Sequence, residues 1–189
     1  MRIEPEELLS AGVSLDDALY QAQVEGRPAG RRIVFCVGNV LCGDDAAGPL
    51  LAKMLTDHPV EGWDVIDGGQ TPEDDLAVIR RTRPERVIVV DAAAMGLPVG
   101  TRCLIEDADE KQSYLMSTHA LPITLLLSEI RSACDDVSFV GIQPGSTEFF
   151  DPLTPAVHDA VQAVYDCIAG GADLSDLPHV SEVRERLGL

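Results

Sequence analysis

The stretch Ile33-Val34-Phe35-Cys36-Val37-Gly38-Asn39 changes character within two residues. Five apolar side chains in a row are the pattern of a strand covered on both faces, and Gly38-Asn39 turns that strand into a loop. Ala47, Leu50, Leu51, Met54 and Leu55 then recur at helical spacing until Asp57-His58-Pro59 stops them. A strand, a loop and a helix are therefore written in succession.

The alternation continues. Trp63 to Asp67 reads as a second strand cut off by Gly68-Gly69, and Thr71 is expected to cap a helix with Pro72 at its first position and Asp74 at N3. Arg86 to Asp91 is the third strand. Thr101 to Glu106 is a fourth, weakly patterned and flanked by charge, which places it near a sheet edge. A helix is expected from about Ala120 to Arg131 with Pro122 in its first turn, and Val137 to Ile142 is the fifth strand. Thr154-Pro155 opens a helix whose Val157, Val161, Val164 and Ile168 form one apolar stripe. Strands alternating with helices of this length predict an α/β layer architecture with a mainly parallel sheet.

Outside that pattern, residues 1–30 read as an acidic, partly helical extension in which Ser14 and Asp17 have capping-box spacing. The domain proper is expected over 31–170, and residues 171–189 as an acidic, loosely attached tail. A chain of 189 residues is ample for one such domain.

Composition narrows the partners. Fourteen basic residues against 32 acidic ones leave a formal charge of −18. A nucleic-acid binder needs a basic footprint to neutralise phosphates, and an anionic membrane surface repels such a chain. The first 30 residues carry six acids and no apolar core of a secretory signal, and no hydrophobic run reaches the length of a membrane span. Five cysteines with wide spacing and no CxxC pair predict neither a disulfide framework nor a zinc ribbon, so a cytoplasmic location is expected.

In parallel α/β sheets, ligands bind at the carboxyl ends of the strands. Here those ends carry Asp44-Asp45 after the first strand, Asp67 at the second and Asp91 at the third. Carboxylates directed to one rim repel each other unless a cation binds or a proton is shared. Asp44 and Asp45 are interchangeable on this reading as cap and free carboxylate, and Asp67 is not separated from Asp91. His119 precedes a helix, where the N-terminal dipole favours neutral imidazole, the form that ligates a metal. His58, His158 and His179 read as structural or solvent-facing. An N/O donor set with open positions suits a divalent ion of the Ni, Zn, Mn or Fe type. The glycines of Gly38-Asn39-Val40-Leu41-Cys42-Gly43 match neither a Walker A loop nor a dinucleotide fingerprint, and no GxSxG or HExxH occurs.

These residues resemble the hydrogenase maturation proteases, in particular the type serving the formate-hydrogenlyase hydrogenase. The resemblance runs from about Ile33 to Gly170. It is carried by Cys36-Val37-Gly38-Asn39, Gly43-Asp44-Asp45-Ala46-Ala47-Gly48-Pro49-Leu50-Leu51-Ala52, Val65-Ile66-Asp67-Gly68-Gly69, Val89-Val90-Asp91-Ala92, Met95-Gly96-Leu97, Thr118-His119 and Gly141-Ile142-Gln143-Pro144.

The resemblance implies a three-layer α/β/α sandwich around a twisted five-stranded sheet. It places the family's metal-contacting and catalytic triad on Asp45, Asp91 and His119, and it leaves Gly38, Asn39, Asp44, Asp67, Gly68 and Gly69 to shape the cleft. It further implies a substrate: the precursor of a nickel–iron hydrogenase large subunit, which brings its own nickel and loses a C-terminal extension. One departure stands out. The family usually has Gly where this chain has Ala46, which is harmless in a helical backbone and straining if φ must be positive. Two other readings compete: an assembly chaperone that grips nickel-bearing precursor without cutting it, and a small-molecule hydrolase or phosphorylase on the same architecture.

Overall fold

Each apolar run becomes a strand: β1 (Arg32–Val37), β2 (Trp63–Gly69), β3 (Arg86–Ala92), β4 (Arg102–Leu104) and β5 (Asp136–Ile142). The computed structural model describes residues 31–106, 122–172 and 174–189. Within these, α1 (Ala47–Asp57), α2 (Leu76–Thr82), α3 (Ile123–Arg131), α4 (Pro155–Ala169) and α5 (Val180–Leu187) are the helices.

The strands lie in the order β2-β1-β3-β5-β4. The first four are mutually parallel, and β4 closes the edge antiparallel to β5. Successive side chains of a strand point to opposite faces, and this sheet sorts its residues accordingly. Ile33, Phe35, Val87, Val89 and Phe139 join α2, α3 and α5 in one core. Val34, Cys36, Ile88, Val90 and Val140 join α1 and α4 in the other. The expected α/β/α sandwich is thus realised, with helices on both faces of a mostly parallel five-stranded sheet.

Several local expectations change. Gly68 and Gly69 do not cut β2 short. They belong to it, and the register slips between Cys36 and Val37 so that Val37 pairs with Gly69. Thr71 precedes a 3-10 turn, Pro72–Asp75, without a side-chain cap; the Asp74 amide donates to the Thr71 carbonyl instead. Pro122 is the residue before α3 rather than inside its first turn. The fourth strand shrinks to three residues, and the edge placement holds.

The C-terminal stretch expected to hang loosely is attached. Leu174 is buried in the α1/α4 core, and α5 buries Val180 and Val183 in the other. His179 starts α5 with a capping box, in which its amide donates to Glu182 Oε2 at 3.0 Å. Ser14 and Asp17 lie outside the described residues. Among the described residues, no helix is long and apolar enough to cross a membrane.

Candidate active site

The loop after β1 is built by glycine. Gly38 has φ +144°, and a Cβ there would stand 2.0 Å from the Asp45 carbonyl oxygen. The chain therefore folds back on itself in a way that only Gly permits. The Asn39 amide donates to that same Asp45 carbonyl at 3.0 Å, and the Leu41 amide donates to Asn39 Oδ1 at 2.9 Å. The Gly38 amide reaches across to the Gly69 carbonyl at 3.0 Å, tying the loop to the end of β2. Gly38, Asn39 and Gly69 thus shape the loop through their backbones. Gly68 is buried under Phe35.

The two adjacent acids then separate in role. Both lie in a 3-10 turn, Gly43–Ala46, and both are buried. Asp44 is fully engaged. Its Oδ1 accepts the Thr154 amide at 2.6 Å, and its Oδ2 accepts the Gly145 amide at 2.7 Å, the Ser146 amide at 3.3 Å and the Thr154 hydroxyl at 3.2 Å. It caps the start of α4 and the loop after β5, not its own turn, whose preceding residue is Cys42. Ala46 has φ −71° and ψ 0°, so alanine sits there without strain.

Asp45 faces a different neighbour. Asp91, near the carboxyl end of β3, is 7% exposed, and its pKa is pushed up to about 8. Burial is the larger cause and the charge of Asp45 the second, against a lowering by a hydrogen bond from the Ala92 backbone. Two carboxylates from separate strand ends have been brought together in a place that disfavours a second negative charge.

The structure also parts Asp91 from Asp67. Asp67 is exposed and pairs with Cys36, whose side chain lies in the α1/α4 core. Asp91 is one residue beyond Val90, which shares that core, so strand alternation turns it to the opposite face. Burial raises the Cys36 thiol pKa, and Asp67 adds to the effect. Cys36 is an inert core residue, and Asp67 does not share a sheet face with Asp91.

His119 lies outside the described residues. Among those described, no group of three His, Cys, Asp or Glu side chains is placed to hold a metal ion. The remaining histidines are accounted for by structure. His58 follows the end of α1, His158 is exposed on α4, and His179 Nδ1 stands 3.1 Å from Glu106.

One organising residue stood in the sequence only as part of the resemblance block Gly141-Ile142-Gln143-Pro144 at the end of the fifth strand. Gln143 Oε1 accepts the Met95 amide at 2.7 Å and the Leu97 amide at 3.2 Å, fastening the loop after β3 to β5. The segment that follows Asp91 is thereby held. A cavity of about 420 Å³ lined by Leu104, Glu106, Val137 and His179 lies at the level of Val87 on β3 instead of Asp91, and it contains neither carboxylate.

Comparison with known proteins agrees with this fold. The profile of the HycI family of hydrogenase maturation proteases matches residues 49–170. The hydrogenase 3 maturation protease of Escherichia coli K12 is 41% identical over 138 residues, covering 73% of this chain and 88% of that protein. A crystal structure of the hydrogenase 3 maturation protease superposes with a TM-score of 0.74 at 38% identity, covering 80% of this chain and 97% of that one. The [NiFe] hydrogenase maturation protease HycI from Thermococcus kodakarensis KOD1 gives 0.66 at 26% identity, with coverage of 80% and 97%. With the family profile matching more than half its length and a relative 41% identical over 73% of it, the chain belongs to the HycI-type hydrogenase maturation proteases.

Proposed function

We propose that this endopeptidase removes the C-terminal extension of a nickel–iron hydrogenase large-subunit precursor, and that Asp45, Asp91 and His119 recognise nickel already carried by that substrate. The observation that carries the reading is the pairing of Asp45 and Asp91, two buried acids from distant segments at the carboxyl end of the sheet. A buried carboxylate pair is costly alone and is relieved by a cation. Oxygen donors with an imidazole suit a borderline divalent ion. Loaded precursor then binds better than empty precursor, which makes the site a check on assembly.

The nickel supplies a fixed point against which the scissile peptide is registered. A carboxylate of the pair accepts a proton from water as the water oxygen adds to the scissile carbonyl carbon. The C–N bond breaks as that proton passes to the leaving nitrogen, which yields a new carboxyl terminus and the freed extension. Asp44 and Gln143 touch no reacting atom in this scheme; they hold the loops that carry Asp45 and follow Asp91. A cytoplasmic location fits five cysteines with no disulfide framework.

The test is the intact mass of purified precursor after incubation with this protein, with and without nickel. Loss of the extension from the loaded form alone is the expected result. Cleavage of both forms alike would remove nickel from the recognition step, and tight binding with no mass change would favour the chaperone reading.

A further inference from the structure

Five of the eight large apolar side chains exposed among the described residues gather at one rim. Val40 and Leu41 are 67% and 42% exposed on the loop after β1, Phe149 and Phe150 are 59% and 76% exposed after β5, and Val99 is 44% exposed. Leu41, Phe149 and Phe150 are joined by specific contacts. The Phe150 amide donates to the Leu41 carbonyl at 2.7 Å, and the two phenylalanine rings stand 4.2 Å apart. Val99 packs against the backbone of Gly145, where a Cβ would meet its methyls at 3.3 Å.

Phe150 also has φ +65°, a left-handed backbone that a bulky aromatic residue rarely adopts. Such strain concentrates at ligand clamps, where the surroundings impose it. Here it turns an aromatic ring into solvent on a loop that Asp44, the residue before Asp45, fixes through Gly145, Ser146 and Thr154. The exposed acids Glu148 and Asp151 flank the rings in sequence, so the apolar rim has a negative border.

We infer that Val40, Leu41, Phe149 and Phe150 form the platform on which the precursor docks. Its occupant is a segment of the large subunit that combines apolar side chains with a cationic group, seated so that the scissile bond falls at Asp45. Contiguous apolar surface rimmed by polar residues is the mark of a protein-binding site. This one is built on the loop that carries Asp45 in a protein-cutting enzyme, with Leu41 bonded to Asn39 and Asn39 to the Asp45 carbonyl, so its cover is the protein being cut. Exposed aromatic anchors give such contacts most of their strength. The inference rests on the function proposed above.

The experiment measures processing rate against concentration of nickel-loaded precursor by intact mass. The variants are Leu41→Ser, Phe149→Ser and Phe149→Ser with Phe150→Asn, the asparagine being chosen because it tolerates positive φ. Circular dichroism and melting temperature verify that each variant is folded. The double variant is expected to raise KM tenfold or more while kcat changes by less than threefold. A KM within twofold of wild type in the folded double variant would overturn the platform. So would a wild-type dimer, seen by sedimentation, that the double variant dissociates without a change in KM, because a second copy would then be the occupant. Should wild type leave loaded precursor uncut, the proposed function fails separately. Calorimetric titration of precursor into wild type and double variant then decides the platform by itself, with equal affinities overturning it.

Discussion

Asp44 and Thr154 are 110 residues apart in sequence and share two hydrogen bonds: Asp44 Oδ1 accepts the Thr154 amide at 2.6 Å, and Oδ2 accepts its hydroxyl at 3.2 Å. The same carboxylate holds Gly145 and Ser146. It joins the loop after β1 to the start of α4. Hydrogen bonds to a buried charged group contribute about 1.5–3 kcal/mol each, and stranded donors add their own desolvation cost. Asp44→Ala is therefore expected to lower unfolding free energy by about 3 kcal/mol or more in a urea titration. Asp44→Asn keeps one acceptor oxygen and is expected to lose less.

The proximity of Asp45 and Asp91 predicts an unusual titration. In the free protein, the Asp91 carboxyl should titrate near pH 8 by NMR. Asp45→Asn should lower that value while leaving it above the ordinary ~4, because burial is the larger cause. An ordinary carboxylate titration at Asp91 in wild type would contradict the pairing.

Stability follows the same proton. The folded chain holds it to about pH 8, whereas the unfolded chain releases it near ~4. The contribution of Asp91 to stability is thus complete below the unfolded value and is lost as pH rises through the folded one, by up to about 1.4 kcal/mol per pH unit. Asp91→Asn cannot ionise. The unfolding free energy of Asp91→Asn minus that of wild type should accordingly grow between about pH 4 and 8 and level off above, in denaturant titrations at fixed ionic strength.

Gly38 and Ala46 make opposite predictions. Gly38→Ala places a methyl 2.0 Å from the Asp45 carbonyl oxygen at φ +144°. It should lower the melting temperature by several degrees and cut processing by tenfold or more, because Asp45 is displaced. Ala46→Gly restores the usual family residue at a position whose backbone is already right-handed. It is expected to leave processing unchanged and to cost at most about 1 kcal/mol of stability.

Asp45→Asn, Asp91→Asn and His119→Ala should each reduce precursor processing by at least about 100-fold, the usual scale of a lost acid–base group, while the proteins stay folded. Intact-mass time courses with loaded precursor measure this directly. Full processing by any one of them would remove that residue from the proposed chemistry.

How much of this was legible in advance differs by residue. The strands and helices were, because burial on both sheet faces demands continuous apolar runs such as Ile33 to Val37, and one-sided burial demands the stripe of Val157, Val161, Val164 and Ile168. The rim of acids was legible too, since strand ends are marked by Gly and Asp. The attachment of the C-terminal stretch was not. Its charged sequence hides two inward valines, Val180 and Val183, whose partners lie elsewhere in the chain.

By itself the amino-acid sequence determined the α/β alternation, the acids at the strand ends and the family likeness, because these depend on local period, turn chemistry and residue order. Only tertiary structure decided how each acid is held. Asp44 became a clamp because Gly145, Ser146 and Thr154 arrive from the loop after β5, two strands away. Asp67 was turned away and Asp91 brought to Asp45 by strand order and register. A carboxylate's role follows from the donors and charges around it, and those come from segments that meet only when the chain is folded.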